Sequence, residues 1–426
     1  MPKTLILGAG LAGLSAAYHL QGDYEIFERE ARIGGLCRSE TVKGFTFDYA
    51  IHILYSSDPY AAPFIKRLLG RNFHSQGRES WIYSKKTYTR YPFQANTFGL
   101  PKEVIKECVL GLIKAKYQRK AKPRNFEEFI LATFGSGIAR HFMLPYNQKQ
   151  WAIPPKRMNF DWIEGRVLQP SLEEVLEGAL TEHKKGFGPN AEFWYPKKEG
   201  IAALPNSFLT KLKNISLNSE ITEIDLKKKR IEVNSSKRIE FDNLISSFPL
   251  PGLIDLIKRA PASIKSAAQD LKYNIIHAVN LGIDRPIETE KHWVYFPEDE
   301  FLFHRLSYPF NFSKNNVPKG KGSITAEVSC SRYKKINLGK LRETVIRDLI
   351  KLEILSKRDK ILASNLLTLE PAYIIYDRHH RQNVKKIHTY LRENSVYPCG
   401  RFGEWEYLNM DHSILSGRKV ALELNG

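Results

Sequence analysis

Gly8, Gly10 and Gly13 stand in GxGxxG spacing inside the run GAGLAG, and a carboxylate, Glu28, follows twenty residues after Gly8. Glycines at this spacing allow a tight turn and let a pyrophosphate approach a helix N-terminus, here through the turn that holds Leu11 and Ala12. Glu28, with Arg29 beside it, is placed to accept from a ribose hydroxyl. The setting gives the spacing its weight. TLILGAG reads as a buried strand, LAGLSAAYHL as a helix with small and apolar residues at helical intervals, and YEIFE as a second strand.

A second run chooses between dinucleotides. In ARIGGLCRS, 31–39, the residues Arg32, Gly34, Gly35, Arg38 and Ser39, with Leu36 among them, match the R-x-GG-x-x-x-S pattern of flavoproteins in the amine-oxidase and mutase group. Its glycines and cations lie where the rest of a long FAD diphosphate would run. GFTFDYAIHIL, 44–54, resembles the segment beside the isoalloxazine ring and brings in His52. FAD is the expected cofactor, rather than NAD, and no metal is expected.

A third run, PYNQKQWAIPPKRMNFDWIEGRV at 145–167, gathers two Trp, a Tyr, a Phe and two Arg around a Pro-Pro step. It reads either as a loop over a core or as a pocket wall that stacks and clamps a charged aromatic ligand. On the residues alone both readings stand. Planar rings and arginine forks are what a base and a diphosphate need.

Elements must position these residues. The 426-residue chain is too long for one ordinary domain. Residues 100–185 read as helical, with NFEEFI and SLEEVL as capping boxes built on Asn125–Glu128 and Ser171–Glu174. Residues 215–248 and the runs HAVNLGI, HWVYF and GSITAEVS read as β, LRETVIRDLIKLEIL as a helix, and DHSILSGRKVALEL as a last helix opening near Asp411 or Ser413. YDRHHR, 376–381, concentrates His and Arg; it reads as a solvated loop near the pocket mouth, with a metal or phosphate site as the alternative.

A net charge of +19 suits an anionic substrate, a nucleic acid or an acidic membrane surface. The densest basic run, KAKYQRKAKPR at 114–124, has no nucleic-acid motif with it and reads as a solvated helix end. No apolar window reaches membrane-spanning length, and MPKTLILGAG reads as a first strand rather than a signal peptide. Four scattered cysteines argue against a disulfide framework and for the cytoplasm.

With YPFQAN (91–96), GPNAEFWYP (188–196), HWVYFPED (292–299) and GRFGEWEYLNMDHS (400–413) following in order, the chain resembles the UDP-galactopyranose mutases, in particular their eukaryotic-type branch. The resemblance implies an α/β fold: a discontinuous Rossmann-like FAD-binding domain (1–90, 188–272 and 395–426), a mainly helical domain (91–187) and an antiparallel β-sheet domain (273–394). It implies interconversion of pyranose and furanose forms of a nucleoside-diphosphate sugar through a covalent adduct to N5 of reduced FAD. The partners would be that sugar nucleotide and an external reductant of the NAD(P)H kind, with no nucleic acid; an oligomer is allowed.

Residue by residue, the resemblance puts Tyr146, Asn147 and Trp151 in the sugar and uridine pocket and Arg166 on its diphosphate and sugar side. Tyr91 and Gln94 reach the nucleotide, and Asn190 the substrate. Trp293 and Tyr295 lie near sugar and phosphates, Arg305 and Arg401 hold the diphosphate, Tyr373 and Tyr407 donate to it, and Asn409 faces the sugar. Gly400, Arg401, Asn409, Met410 and Ser413 border the flavin. His52, Arg166, Arg305 and Arg401 form the catalytic set. The chain departs from the family's Gly-Gly-His beside the flavin, having Ala50-Ile51-His52, and Ser57 stands where a second His is usual. An oxidoreductase of the amine-oxidase or desaturase type shares the FAD motifs and is the alternative; a noncatalytic nucleotide-sugar binder is a third reading.

Overall fold

The computed structural model describes residues 3–118, 121–163, 166–182, 188 and 190–426. Thr4–Leu7, buried along its whole length, is the middle strand of a five-stranded parallel sheet among the described residues. Its neighbours on one side are Tyr24–Phe27 and Ile215–Ser216, and on the other Asn243–Ser246 and Val396–Pro398. A parallel strand covered on both faces needs a continuous apolar run, which TLIL supplies. The sheet thus draws on three distant parts of the chain.

The second large sheet has seven strands among the described residues, in the order Ile361–Leu369, Ile275–Ile283, Gly322–Cys330, Arg305–Ser307, Trp293–Tyr295, Ser80–Ser84, Thr87–Arg90. Neighbours run antiparallel except Trp293–Tyr295 and Ser80–Ser84, which are parallel. Residues 80–90 therefore belong to this sheet, although the sequence division ends the first FAD segment at residue 90. The long strand Gly322–Cys330 is buried at every position.

The helical region is built on Lys102–Tyr117 and Phe126–Ile138. Val104, Cys108 and Leu112 are buried at helical spacing, as are Phe126, Ile130 and Phe134, so each helix turns one apolar stripe inward. The backbones nearly touch: a Cβ on Gly137 would overlap the Glu107 carbonyl. Asn125 caps the second helix by accepting from the Glu128 N–H (2.9 Å), and Ser171 and Glu174 form the reciprocal box expected from their spacing. The last helix, Met410–Leu424, opens at Asn409, slightly earlier than the sequence suggested.

YDRHHR is not a solvated loop. Tyr376 and His380 are buried with ring centroids 4.3 Å apart, and the helix His380–Glu393 starts there. The pattern misleads because the two buried rings are flanked by exposed Arg378 and Arg381. No helix among the described residues is long and apolar enough to cross a membrane.

Gly137→Leu should force the two helices apart. Overpacking of this kind costs about 1–3 kcal/mol. A thermal midpoint lower by roughly 2–12 °C in scanning fluorimetry is expected, taking about 2–4 °C per kcal/mol.

Candidate active site

The first strand ends at Gly8, whose φ of +96° suits glycine. A Cβ on Gly13 would overlap the Gly8 carbonyl, so this glycine lies beneath the turn and lets the helix Leu11–His19 pack against the strand end. Gly10 is the helix N-cap and has no side-chain cap, leaving the first N–H groups of the helix open. A Cβ there would find only Gly35 Cα, 4.0 Å away. Gly34 closes the other side, donating its N–H to the Ala9 carbonyl (2.8 Å) with φ +115°. The last helix brings a second N-terminus without a side-chain cap, at Asn409. Gly400, φ +74°, presses so close to Ala12 that a Cβ would overlap the alanine side chain.

These glycine turns and both helix ends border one cavity of about 990 Å³, lined at this end by Gly8, Gly10, Leu11, Ala12, Glu28, Arg29, Gly34, Gly35, Leu36 and Arg38, and across from them by Gly400, Met410 and Ser413. Two uncapped helix N-termini and a backbone without side chains fit a dinucleotide diphosphate. Glu28 is held in place at the cavity edge: its carboxylate accepts from Ala9 N (2.8 Å) and Glu30 N (3.0 Å). Ser39 does not line the cavity; its hydroxyl donates to Asp48 (2.7 Å) and accepts from Ala202 N (3.0 Å).

The wider end of the cavity is lined by His52, Asn190, Trp293, Tyr295, Arg305, Tyr373, Arg401, Tyr407 and Asn409. Arg401 lies 4.6 Å from the Tyr407 ring centre and 5.1 Å from that of Tyr373, and these two rings are stacked. Its Nε is buried with no hydrogen-bond partner, while Nη1 reaches the Leu408 carbonyl at 3.4 Å. Arg305 is held by Glu327 through Nε (3.1 Å) and Nη2 (2.6 Å), a pair set directly across neighbouring strands. Burial lowers the His52 imidazole to about 4, opposed by the Ala50 carbonyl and assisted by Arg401 and Arg305. The ring is therefore neutral near pH 7. Ala50 has φ +66°, a left-handed position that favours glycine.

Other predicted residues form the layer behind the cavity wall. Tyr146 packs edge-on against Tyr295 with centroids 5.2 Å apart, and Tyr91 lies tilted at 5.2 Å from the same ring. Trp151 leans on Tyr373 at 5.3 Å, and its Nε1 donates to Asn147 (3.1 Å). Gln94 donates to the Leu168 carbonyl (3.0 Å). Arg166 stands over the Tyr407 ring at 5.0 Å and donates to the Tyr407 carbonyl, so it clasps a wall residue from outside. The Tyr407 N–H donates to the Tyr376 hydroxyl (2.6 Å), which in turn donates to Glu406 (2.8 Å).

Three residues escaped the sequence reading. Arg78 donates to Asn190 and lies 5.2 Å from the Tyr91 ring, in a stretch with no motif. Tyr55 lines the cavity and accepts from Asn409 (2.8 Å). Glu327 did carry a signal: a lone carboxylate within the apolar run of GSITAEVSC needs a buried partner.

The model of the family described as "Flavin containing amine oxidoreductase" matches residues 11–360. That is most of the chain, and the chain belongs to this family. Among solved structures it is similar to a reduced UDP-galactopyranose mutase, with a TM-score of 0.95 and 30% identity over 100% of this chain and 94% of that one. A putrescine oxidase bound to putrescine shares the fold at TM-score 0.68 and 15% identity, over 99% of this chain and 98% of its own. By sequence, the chain is 24% identical to a 4,4'-diapophytoene desaturase of Staphylococcus aureus (strain bovine RF122 / ET3-1) over 396 residues, covering 76% of this chain and 74% of the desaturase.

Gly10→Val fills space on the cavity side only, so the variant should fold with a near-normal thermal midpoint yet purify without flavin absorbance. A yellow Gly10→Val protein would contradict the placement. The His52 imidazole binds its proton near pH 4 in the folded state and near 6.5 when unfolded. The unfolded chain therefore binds more protons between these values, and stability falls as pH drops through that window. Denaturant titrations from pH 7 to 4 should show this slope, and His52→Gln should flatten it.

Proposed function

We propose that this member of the flavin-containing amine oxidoreductases is a mutase of the UDP-galactopyranose type, interconverting pyranose and furanose forms of a nucleoside-diphosphate sugar. One observation carries the reading: Arg305 and Arg401 converge with Tyr295, Tyr373 and Tyr407 on the same cavity that the dinucleotide corner opens into. A diphosphate that departs and returns needs such a wall, because fixed cations stabilise the charge that grows on the leaving oxygens.

Gly8, Gly10, Gly34, Gly35 and the two helix N-termini would hold FAD. When bound and reduced, the flavin supplies the nucleophilic centre for the anomeric carbon. The chain's own residues do the rest. Burial pushes the Tyr407 hydroxyl well above its ordinary range, so it keeps its proton and serves as a donor to phosphate oxygens. Neutral His52 adds no third full charge beside the arginines. Asn190, held by Arg78, and Asn409, held by Tyr55, offer amides with fixed orientation toward sugar hydroxyls. Trp293 and the tyrosine rings keep water off the reacting centre. The four free, buried cysteines accord with a cytoplasmic setting, where an NAD(P)H-type reductant is at hand.

The desaturase relatives favour a second reading, an FAD-dependent oxidoreductase. A hydrocarbon substrate has no use for the arginine wall. Flavin-loaded protein reduced with dithionite and given UDP-, TDP- and GDP-sugars should form furanose products without net consumption of reductant. Stoichiometric oxidation of a substrate would favour the second reading instead.

Arg401→Lys removes the planar fork but keeps the charge. A charge-assisted contact contributes about 1.5–3 kcal/mol, so kcat/KM should fall by at least about tenfold. Since the diphosphate is also the leaving group, kcat should fall along with affinity.

A further inference from the structure

The two arginines of the wall are not equivalent. Arg305 spends its Nε and Nη2 hydrogens on Glu327, a carboxylate with no exposed surface. Glu327 also accepts the Ile51 N–H at 3.2 Å, which ties it to the segment carrying His52. Nearby His304, 3.7 Å from the same carboxylate, is held neutral by burial and so adds no compensating charge. Nη1 of Arg305 makes no hydrogen bond among the described residues, and Arg305 lines the cavity with its charge matched by the carboxylate behind it.

Arg401 has the opposite surroundings. Among the described residues it forms no ion pair. The carboxylates of its own segment are engaged elsewhere: Glu404 with the Ser416 hydroxyl, Glu406 with Tyr376 and Arg381 (2.5 Å), and Asp411 with the His412 N–H (2.8 Å). Its Nε is buried and unpartnered, and tyrosine faces flank the guanidinium. An unpaired cation in this setting acts at low screening.

We propose that Glu327 neutralises Arg305, so that at the wider end of the cavity Arg401 carries the anion-binding charge while Arg305 contributes orientation. The inference rests on reading the cavity as a diphosphate site and deepens it. Glu327 is thus a positioning residue that sets how tightly the site holds an anion. Two uncompensated arginines would bind the freed diphosphate in the ground state as strongly as during transfer, which lowers KM without raising kcat. One free cation and one neutralised fork direct the bound anion without trapping it.

The test uses oxidised, flavin-loaded protein and inorganic pyrophosphate as the probe, titrated by calorimetry at low ionic strength. Glu327→Gln keeps the shape and the N–H contact of the carboxylate but releases the charge of Arg305; it should tighten pyrophosphate by about tenfold, the scale of one charge-assisted contact. A merely structural role for Glu327 would loosen binding. Arg401→Gln should weaken the anion by at least about tenfold, and Arg305→Gln by less than about threefold. Unchanged or weaker binding in Glu327→Gln overturns the proposal, as does an Arg305→Gln loss equal to that of Arg401→Gln. If Glu327→Gln does not retain flavin, the comparison of the two arginine variants decides. Furanose formation by the unaltered protein is scored separately: tightening in Glu327→Gln without furanose product upholds the charge division and removes the mutase reading.

Discussion

Everything in this molecule is arranged around a corner where side chains are not permitted. The first strand must stop, turn and start a helix within a few residues, leaving its N–H groups bare toward the cavity. Gly8, Gly10 and Gly13 meet that demand from inside. Gly34 and Gly35 meet it from the second strand's return, Gly400 from the turn after Val396–Pro398, and Gly417 from the last helix, where a Cβ would overlap the Ala12 carbonyl. The first and last helices can therefore lie in backbone contact, with both positive ends at one site. A side chain at most of these points would displace an element, not just a ligand.

Behind the corner, the wider site depends on a layer of buried groups, most of them tied to one another by hydrogen bonds and ring contacts. The Tyr407 backbone is fixed at its N–H by Tyr376 and at its carbonyl by Arg166, and its ring stacks on Tyr373. Lys149 ties the helix Leu144–Trp151 to the segment after Trp293–Tyr295 by donating to the carbonyls of Phe296 (3.1 Å) and Glu298 (2.7 Å). Aromatic contacts then run from Phe142 through Tyr146 to Tyr295. The wall is rigid because the layer behind it is packed and hydrogen-bonded, as a preorganised site requires.

What the sequence made legible followed local rules. The strand–glycine–helix corner, the two N-caps, and the β character of 215–248 depend on residues near one another in the chain. The division of labour in the aromatic run did not. Tyr146, Asn147 and Trp151 have the right chemistry for a pocket, yet they pack behind Tyr295 and Tyr373, because helix Leu144–Trp151 buries that face. The composition of a segment says what its rings can do; which ring reaches the cavity is set by long-range packing. Arg78 and Tyr55 were invisible for the same reason, since their partners, Asn190 and Asn409, lie more than a hundred residues away. The engagement of Arg305 by Glu327 needed the strand register, which pairs them directly.

The parallel sheet also imposes an order in time. Val396–Pro398 joins Thr4–Leu7 only through Asn243–Ser246, and Gly400 and the last helix complete the cavity that Gly8 begins. During synthesis the two halves of the flavin corner leave the ribosome roughly 370 residues apart, which at about 5–20 residues per second is on the order of 20–75 s. Throughout that interval the nascent chain holds a bare helix N-terminus and an unpaired sheet edge. The corner with both helix N-termini exists only once Gly400 and the last helix have been made, so a chain cut before residue 396 lacks that half of the cavity.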